Sequence, residues 1–299
     1  MAPFKHIGVV GRPGHAGVVD SLERVLAFLK QASLIAVLDE QTSGLVGGCG
    51  DVICDDSELA ERCDFVVVIG GDGSMLRVAK YITEAQLPVI GINRGKLGFL
   101  TDIPPSKIEA GLQEVLSGNF SVDRRFLLNV TQPGSEGGES VLGAALNDVV
   151  LHPGNAAQMI EFELFVDGRF VYSLSSDGLI VATPTGSTAY SLSAGGPIMH
   201  PGLNAIALVP MYPHSLNSRP IVVDGDSEIK LVVAATEALH PKISCDGQEV
   251  FSAKAGDEII IRKSPKMLKL IHPIEHSFYG ACRSKLVPEL GWNGHRSRQ

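Results

Sequence analysis

One aspartate lies among three glycines directly after a strongly apolar run. Residues 65–69 are Phe, three Val and Ile, and Gly-Gly-Asp-Gly follows at 70–73, before the helical pattern of 75–82. Such a β-branched run is typical of a buried parallel strand. At its carboxyl end, glycines let a phosphate or ribose approach the main chain, and the next helix offers N–H groups to phosphate. Asp72 is therefore a candidate for acid–base chemistry, unless the segment only makes a turn and caps a helix.

A second polar pair, Asn147-Asp148, follows the apolar residues 141–146. An amide and a carboxylate together provide two donors and several acceptors, which suits the diol of a ribose. The alternative is an Asx turn at a kink in a strand. Taken by themselves, the two residues leave both interpretations open.

The third segment is 177–197, which contains Gly-Ser-Thr-Ala-Tyr at 186–190. Hydroxyls and a glycine before a short periodic stretch resemble a helix start with exposed N–H groups. Tyr190 could stack on adenine and Asp177 could accept from its exocyclic amine, although aromatic residues more often belong to a core.

Basic residues near these segments are candidates for phosphate contacts. Arg77 lies five residues beyond Asp72 and reaches either phosphate or solvent, and we leave both possibilities open. Residues 91–97 resemble a Walker A loop but are one residue short and lack Ser or Thr after the lysine. Arg94 and Lys96 of that stretch could still meet ATP phosphates.

Together, segments 70–77, 91–100, 147–148 and 177–197, in this order and spacing, resemble an NAD kinase of the bacterial type across nearly the whole chain. The resemblance implies transfer of the γ-phosphoryl group of ATP to the 2′-hydroxyl of the adenosine ribose of NAD, giving NADP and ADP. It gives Asp72 the role of general base. A sugar hydroxyl is a poor nucleophile until a carboxylate accepts its proton, and phosphoryl transfer otherwise needs positioning and charge neutralisation.

The resemblance and the residue types together give an expected nucleotide-binding set. Its members are Gly73, Arg77, Asn147, Asp148, Gln158, Ser175, Asp177, Thr188, Ala189, Tyr190, Ser191, Leu192, Ser193 and Gln248. Ser191 and Leu192 would contribute main-chain contacts. A plain hairpin turn explains Gln248 equally well. Ser175 stands where some relatives carry Arg, which leaves the preference between NAD and NADH open.

The resemblance also implies partners. We expect Mg²⁺, or another divalent ion, to bridge the ATP phosphates rather than fill a protein cage. We expect a homodimer or homotetramer in which segment 188–193 completes a shared active site, because short strands need their edges covered.

Several rival functions are weaker. Glycines at 8, 11 and 14 read G-x-x-G-x-x-G, out of step with the dinucleotide fingerprint of dehydrogenases, although Asp39 imitates its ribose-binding acid. His272 and His276 have zincin-like spacing, but Pro273 argues against the helix that would align them. Diacylglycerol-type lipid kinases and phosphofructokinases share the G-G-D-G turn but lack the pattern of 183–197. An intact Asp72 argues against a catalytically silent dinucleotide sensor.

Composition narrows the remaining classes. The chain has 299 residues, 44% of them apolar, and a net charge of −8 without charged blocks, which disfavours nucleic-acid binding. The residues at 1–10 do not resemble a secretory signal, and no apolar run reaches membrane-spanning length, so we expect neither a leader nor a membrane span. Five cysteines form an odd set with no C-x-x-C pair, so we expect reduced thiols in a cytoplasmic protein.

The pattern of elements predicts two domains. Short apolar runs alternate with helical spacing over residues 1–125, which indicates a Rossmann-like α/β domain with a parallel sheet. Frequent short strands over 126–274, with an Asp-Gly hairpin at 167–168, indicate an all-β, sandwich-like domain that contributes NAD-binding residues. Residues 131–140 are expected to form a polar loop, and 275–299 to pack back on the first domain through a helix at 278–290.

Overall fold

The computed structural model describes residues 4–13, 17–94, 98–134, 138–154, 158–215, 217–234, 240–274 and 276–286. Contacts divide the chain into two compact units. Unit 1 combines Met1–Asp123 with the end of the chain from Lys269, and unit 2 is Arg124–Leu268. The sequence-based limits at 125 and 274 differ by a few residues, because long strands run through both boundaries and no polar linker marks them.

Seventeen strands and seven α-helices lie within the described residues. The strands are β1 His6–Gly11, β2 Ile35–Asp39, β3 Val52–Cys54, β4 Phe65–Gly70, β5 Pro88–Asn93, β6 Phe120–Pro133, β7 Glu139–Ala145, β8 Asp148–His152, β9 Ile160–Val166, β10 Arg169–Ser176, β11 Gly178–Ala182, β12 Ala205–Met211, β13 Ile221–Asp224, β14 Ile229–Val233, β15 Lys242–Cys245, β16 Gln248–Ser252 and β17 Glu258–Pro273. The helices are α1 Val18–Gln31, α2 Glu40–Leu45, α3 Asp56–Arg62, α4 Asp72–Glu84, α5 Ile108–Leu116, α6 Tyr190–Ser193 and α7 Phe278–Leu286.

Unit 1 is an α/β unit with a parallel sheet in the order β3-β2-β1-β4-β5. The end of β17 pairs in parallel with β5. The chain builds outward from β1 in one direction and then returns to add β4 on the other side. Such a reversal of strand order leaves a crevice at the carboxyl ends of the two central strands, where ligands of open α/β sheets bind. Asp72 lies directly after β4, at that point.

The core of unit 1 explains why its strand signals were readable from the sequence. Every residue of β4 is buried, and the same holds for β1 after its first residue. Strands covered by helices on both faces are apolar without alternation. α1 contributes Leu22, Val25 and Leu29 to this core at helical spacing.

Unit 2 is an antiparallel β-sandwich. One sheet contains β10-β9-β14 and the first part of β17, together with the paired strands β6 and β7. The other has the order β13-β12-β11-β8-β15-β16. Phe162, Leu164, Val181 and Leu208, from both sheets, belong to one buried cluster. A smaller cluster on β8, β11 and β12 also includes Met199, from the segment after α6.

The observed elements confirm the fold class and correct some limits. β9 and β10 form the expected hairpin, with Asp167 and Gly168 at positive φ. The loop expected at 131–140 is shorter, because β6 and β7 pair as far as Pro133 and Glu139. Not all strands expected over 126–274 are short, because β17 runs through 16 residues, Glu258–Pro273. The described helix at the end of the chain is α7, and residues 287–299 lie outside the described ones.

Three short elements of unit 1 were not predicted from the sequence: β3, α2 and α3. Three residues, as in β3, are too few for a periodic signal. No helix in the described part of the chain combines the length and apolar character needed to cross a membrane. All five cysteines lie within the described residues, and none of them forms a disulfide bond.

Candidate active site

The carboxylate of Asp72 is fixed by main-chain donors. It begins α4, and its Oδ2 and Oδ1 accept hydrogen bonds from the N–H groups of Phe99 at 2.9 Å and Leu100 at 3.0 Å. The hydroxyl of Thr101 donates to Oδ1 at 3.4 Å. The side chain remains 30% exposed, so a substrate can reach it. A carboxylate held this way keeps one orientation while staying accessible, as a general base requires.

Two glycines let the loop after β5 reach Asp72. A Cβ on Gly98 would lie 2.1 Å from Oδ1 of Asp72, and one on Gly91 would lie 2.7 Å from Cα of Thr101. Asn93 secures the loop because its Nδ2 donates to the carbonyl of Thr101 at 3.1 Å. The segment 91–100 therefore orients the carboxylate of Asp72 through main-chain N–H groups. Lys96, the expected phosphate contact within it, lies outside the described residues.

Three arginines of unit 1 lie near the carboxyl ends of its strands. Arg12 follows β1, and its Nη1 is 3.4 Å from the position that a Cβ on the exposed Gly73 would take. Arg77, on an exposed face of α4, donates to the side-chain oxygen of Gln41. Arg94 pairs with Asp20 at 3.1 Å. Of the three, Arg12 is next to the start of α4, where the helix dipole also favours phosphate.

In unit 2, Asn147 and Asp148 are held by a third carboxylate. Asp246 accepts from the N–H groups of Leu146 and Asn147, each at 2.8 Å, and from that of Asp148 at 3.3 Å. Asp148 is buried at the start of β8. Burial, with the negative charge of Asp246 adding to it, raises the pKa of Asp148 to about 7. Near neutral pH such a group can accept hydrogen bonds from hydroxyl groups when it is ionised and donate one to them when it is protonated.

The strand end at Thr183 packs against the same turn. Its N–H donates to the carbonyl of Asn147 at 2.9 Å, and its hydroxyl donates to that of Leu146 at 2.6 Å. A Cβ on Gly186 would lie 2.0 Å from the carbonyl oxygen of Asn147. The start of segment 183–197 is thus built against the pair Asn147-Asp148. The two motifs form one feature of unit 2.

Residues 188–193 form a short turn and helix with mixed exposure. A 3₁₀ turn covers Gly186–Thr188, and α6 follows with four residues. Tyr190 is 52% exposed, so it is not a core residue. Ser193 is exposed, Thr188, Ala189 and Leu192 are half-buried, and Ser191 is fully buried. The side chain of Ser191 therefore faces the interior of unit 2, and its carbonyl accepts from the N–H of Gly196.

The other expected contacts lie elsewhere in unit 2. Gln158 is exposed before β9, and Ser175, near the end of β10, donates to the sulfur of Met159 at 3.6 Å. Asp177 is exposed between β10 and β11. Gln248 begins β16 and is exposed. Gln248 and Asp148 are linked through the Asp246-Gly247 turn between β15 and β16, because Asp246 holds the 146–148 turn.

The structure adds site residues that the sequence analysis missed. Lys285 of α7 lies 3.4 Å from Oδ2 of Asp72. Asp246 accepts from three main-chain N–H groups of the 146–148 turn, and the sequence analysis gives it no role. Arg12, near Gly73, is likewise given no role by the sequence analysis. No local pattern identifies Lys285 or Asp246, because each acts on a segment about a hundred residues away or more.

Comparison with known proteins gives the family. A family model of the ATP-NAD kinase N-terminal domain matches residues 54–120, and one of the C-terminal domain matches residues 146–273. NAD kinases of Pseudomonas paraeruginosa and Azotobacter vinelandii are each 53% identical to this chain, over 98% of its length and 97% of theirs. The chain belongs to the NAD kinase family. It is an enzyme that transfers the γ-phosphoryl group of ATP to the 2′-hydroxyl of the adenosine ribose of NAD.

Solved structures of the same family agree with this fold. Yeast NADH kinase complexed with NADH has a TM-score of 0.86 and 25% identity, over 99% of this chain and 90% of that one. An NAD kinase from Archaeoglobus fulgidus in complex with ATP has a TM-score of 0.73 and 28% identity, over 93% of this chain and 99% of that one. The fold expected from the sequence is thereby confirmed.

Proposed function

We propose that Asp72 is the general base of the NAD kinase reaction. The observation that carries this role is the carboxylate itself, oriented by the N–H groups of Phe99 and Leu100 yet 30% exposed, at the reversal of strand order in the sheet of unit 1. Asp72 accepts the proton of the 2′-hydroxyl as that oxygen attacks the γ-phosphorus of ATP. The leaving group is ADP.

Charge neutralisation is assigned to basic groups near the start of α4. The transferred phosphoryl group carries negative charge on three oxygens, so positioned cations and N–H groups stabilise it. Arg12 and the first turn of α4 are suited to a phosphate by position. Arg77 already contacts Gln41, so of its two possible roles we favour a surface one.

We propose Mg²⁺ as a companion of ATP. The turn at 70–73 offers one carboxylate, and both oxygens of Asp72 accept main-chain hydrogen bonds, which is a poor basis for an all-protein cage. Mg²⁺ typically keeps several waters and binds one or two carboxylates together with substrate phosphates. These residues fit an ion held by the ATP phosphates and by waters, which would leave the carboxylate of Asp72 to act as the base. Bound there, the ion would neutralise charge on the phosphates.

We assign NAD binding to unit 2. Asn147 and Asp148 would hold a ribose, with Thr188, Ala189, Tyr190 and Ser193 on the adenosine side, and Ser191 and Leu192 contributing through the main chain. The exposed ring of Tyr190 supports stacking on a base. Gln158, Ser175, Asp177 and Gln248 remain proposed contacts, supported by exposure or partial exposure of each.

We further propose a cytoplasmic enzyme that produces NADP and works as a homodimer or homotetramer with a shared site. Five cysteines without a disulfide bond support a reducing compartment. The edge strand β13 and half-exposed apolar side chains such as Val222 support a partner copy of the chain. The net charge of −8 supports nucleotides rather than nucleic acid as partners.

The proposal is tested by initial rates with NAD or NADH as acceptor and ATP or polyphosphate as donor. We expect one ADP for each NADP formed from NAD and ATP. Substitution of Asn147 by Ala should raise the Michaelis constant for NAD more than that for ATP, because a contact made equally in ground and transition states is lost. Unchanged NAD kinetics in that variant would remove Asn147 from the site.

A further inference from the structure

In unit 1, two histidine side chains contact the same carboxylate oxygen of one aspartate. Nδ1 of His272 and Nδ1 of His276 lie 2.9 and 2.8 Å from Oδ2 of Asp102. The two imidazole rings are stacked, with centroids 3.9 Å apart. One ligand atom from each of the three side chains lies within 4.8 Å of the others. None of the three residues has a role in the phosphoryl transfer proposed above.

The three residues meet without a helix. Asp102 follows the loop after β5, His272 lies near the end of β17, and His276 lies in the turn before α7, where its N–H donates to the carbonyl of Pro273. Pro273 thus prevents a zincin-type helix, as expected from the sequence, but the turn that it makes brings the second histidine back over the first. His272 and His276 are thus brought together by a strand and the turn after it, and not by one face of a helix.

The surroundings of the two ring nitrogens of His272 suggest that a positive group can bind there. If Nδ1–H donates to Asp102, the neutral ring leaves a lone pair on Nε2, which is buried without a hydrogen-bond partner and faces Oδ2 of Asp123 at 3.6 Å. Lone pairs facing a carboxylate repel it. Oδ1 of Asp102 is also buried without a hydrogen-bond partner. An ion on Nδ1 would instead move the ring proton to Nε2, where it points towards Asp123.

We propose that Asp102, His272 and His276 bind a divalent transition-metal ion, with Zn²⁺ as the representative. Two imidazole nitrogens and one carboxylate oxygen are a zinc donor set, whereas Mg²⁺ favours oxygen alone. Asp123 then supplies the outer carboxylate that orients a metal-binding histidine. A cavity of about 290 Å³ borders Asp102 and His276, which leaves room for a water as fourth ligand.

Binding requires a modest rotation of His276. The rings lie within 14° of parallel, so their Nδ1 lone pairs do not meet at one point. Ligand distances of about 2.0–2.2 Å require that they do. The side chain of His276 is 16% exposed and lies in a turn, against 1% for His272 in a strand. His276 is therefore the ring that can turn towards the ion.

The competing explanation is a hydrogen-bonded cluster with no affinity for metal. A doubly protonated His272 would donate to both Asp102 and Asp123, which gives Nε2 a partner but leaves Oδ1 of Asp102 without one. The hydrogen bonds from His272 and His276 already outweigh burial and lower the pKa of Asp102. Metal binding separates the two explanations, because the cluster alone would hold protons but no Zn²⁺.

The test is equilibrium dialysis of chelator-treated full-length protein against Zn²⁺, with Mg²⁺ in excess and metal content measured by mass spectrometry. We expect one Zn²⁺ per chain. Asp123→Asn should weaken binding by roughly tenfold to a hundredfold, as is usual for an outer partner, and His276→Gln should weaken it more. Co²⁺ in place of Zn²⁺ should give the visible spectrum of nitrogen and oxygen ligands without a thiolate band.

Two matched variants are the controls. His6→Gln removes the ring from an exposed His–Asp pair, 3.6 Å from Asp64, and Cys282→Ser removes the thiol of α7; both should bind Zn²⁺ as the parent does. Thermal melts in chelator confirm that each variant is folded, and Asp123→Asn, at a 44% exposed side chain, keeps the test decisive if His276→Gln does not fold. Absence of stoichiometric Zn²⁺ in the parent, or unchanged binding in Asp123→Asn and His276→Gln, would overturn the proposal.

Discussion

Nζ of Lys285 lies 3.4 Å from Oδ2 of Asp72, although the two residues are 213 positions apart. The same ammonium group lies 4.1 Å from the centre of the Phe99 ring. Phe99 in turn donates its N–H to Asp72. The proposed base is thus held on one side by a main-chain loop and on the other by a cation from α7, all within unit 1.

Replacing the base is the first prediction. Asp72→Asn should lower turnover by roughly a hundredfold or more, because an amide cannot take the proton of the ribose hydroxyl. NAD binding should persist, since the proposed NAD contacts are in unit 2. Steady-state rates and NAD titration by fluorescence or calorimetry provide the measurement.

The control for this variant is Asp64→Asn. Asp64 also holds main-chain N–H groups in unit 1, accepting from Lys5 and His6 at 2.8 Å each. It loses the same charge and has no proposed role in the reaction, so turnover should stay normal. Near-normal turnover in Asp72→Asn, or an equal loss in Asp64→Asn, would argue against Asp72 as the base.

The second prediction concerns Lys285. Lys285→Met keeps the aliphatic stem and removes the ammonium group from Asp72. An ion pair between partly exposed groups contributes about 0.2–1 kcal/mol, so turnover should change by a factor of at most about five. The Michaelis constant for NAD should not move, and Lys285→Arg should restore much of the rate. A loss as large as that of Asp72→Asn would mean that Lys285 itself contacts a reacting group.

Gly98 gives the third prediction. Gly98→Ala would place a methyl group 2.1 Å from Oδ1 of Asp72 and 2.5 Å from the hydroxyl of Thr101, so the loop or the carboxylate must shift. Misplacement of a reacting group by about 1 Å lowers rates roughly a hundredfold, and a loss of that order is expected in steady-state turnover.

Gly44→Ala is the matched control for that substitution. A Cβ on Gly44 meets no atom within 4 Å, and the residue lies inside α2. Alanine there should raise the free energy of unfolding by about 0.4–1 kcal/mol without changing turnover. If Gly98→Ala also kept full turnover, the loop would not be what positions Asp72.

The pKa of Asp148 makes the fourth prediction one of pH-dependent stability. Folding raises this pKa from 3.8 to about 7, so the folded protein binds the proton more tightly than the unfolded chain. Stability from this group is therefore complete below about pH 4 and is lost as the pH rises to about 7. Asp148→Asn stays neutral throughout.

Melting temperatures across that pH range provide the measurement. The melting temperature of the parent, minus that of Asp148→Asn, should be highest near pH 4 and should decrease as the pH approaches 7. Above pH 7 the difference should stay constant. Asp177→Asn, at an exposed aspartate of unit 2, is the control and should track the parent. A constant difference between parent and Asp148→Asn from pH 4 to 8 would contradict the raised pKa.

The sequence predicts the parts of this molecule whose signal is local. β4, and β1 after His6, contain only apolar residues and glycine, and the Asp167-Gly168 hairpin has the turn residues that positive φ demands. The turn at Asp72 and the pair Asn147-Asp148 were found because each combines unusual residue types within a few positions.

Long-range contacts were not predictable in this way. Asp246 orients the Asn147-Asp148 turn from about a hundred residues away, and Lys285 reaches Asp72 from the far end of the chain. The spacing of His272 and His276 would place both rings on one face only in a helix, and Pro273 argued against that helix. In the structure, His272 lies at the end of a strand and His276 in the turn that follows, and the two rings are stacked. This arrangement depends on the backbone geometry around Pro273, which residue types alone do not specify.

The last prediction is that the enzyme is active only as an assembly of identical chains. Tyr190 is 52% and Val222 50% exposed, and β13 is an edge strand of its sheet, so a partner copy would cover apolar surface and unpaired main-chain groups. If segment 188–193 completes a neighbour's NAD site, specific activity must fall on dilution together with the mass measured by light scattering, since the competent state exists only in the assembly. Dilution into inert carrier protein controls for adsorption. Full specific activity from a demonstrated monomer would refute the shared site while leaving the role of Asp72 intact.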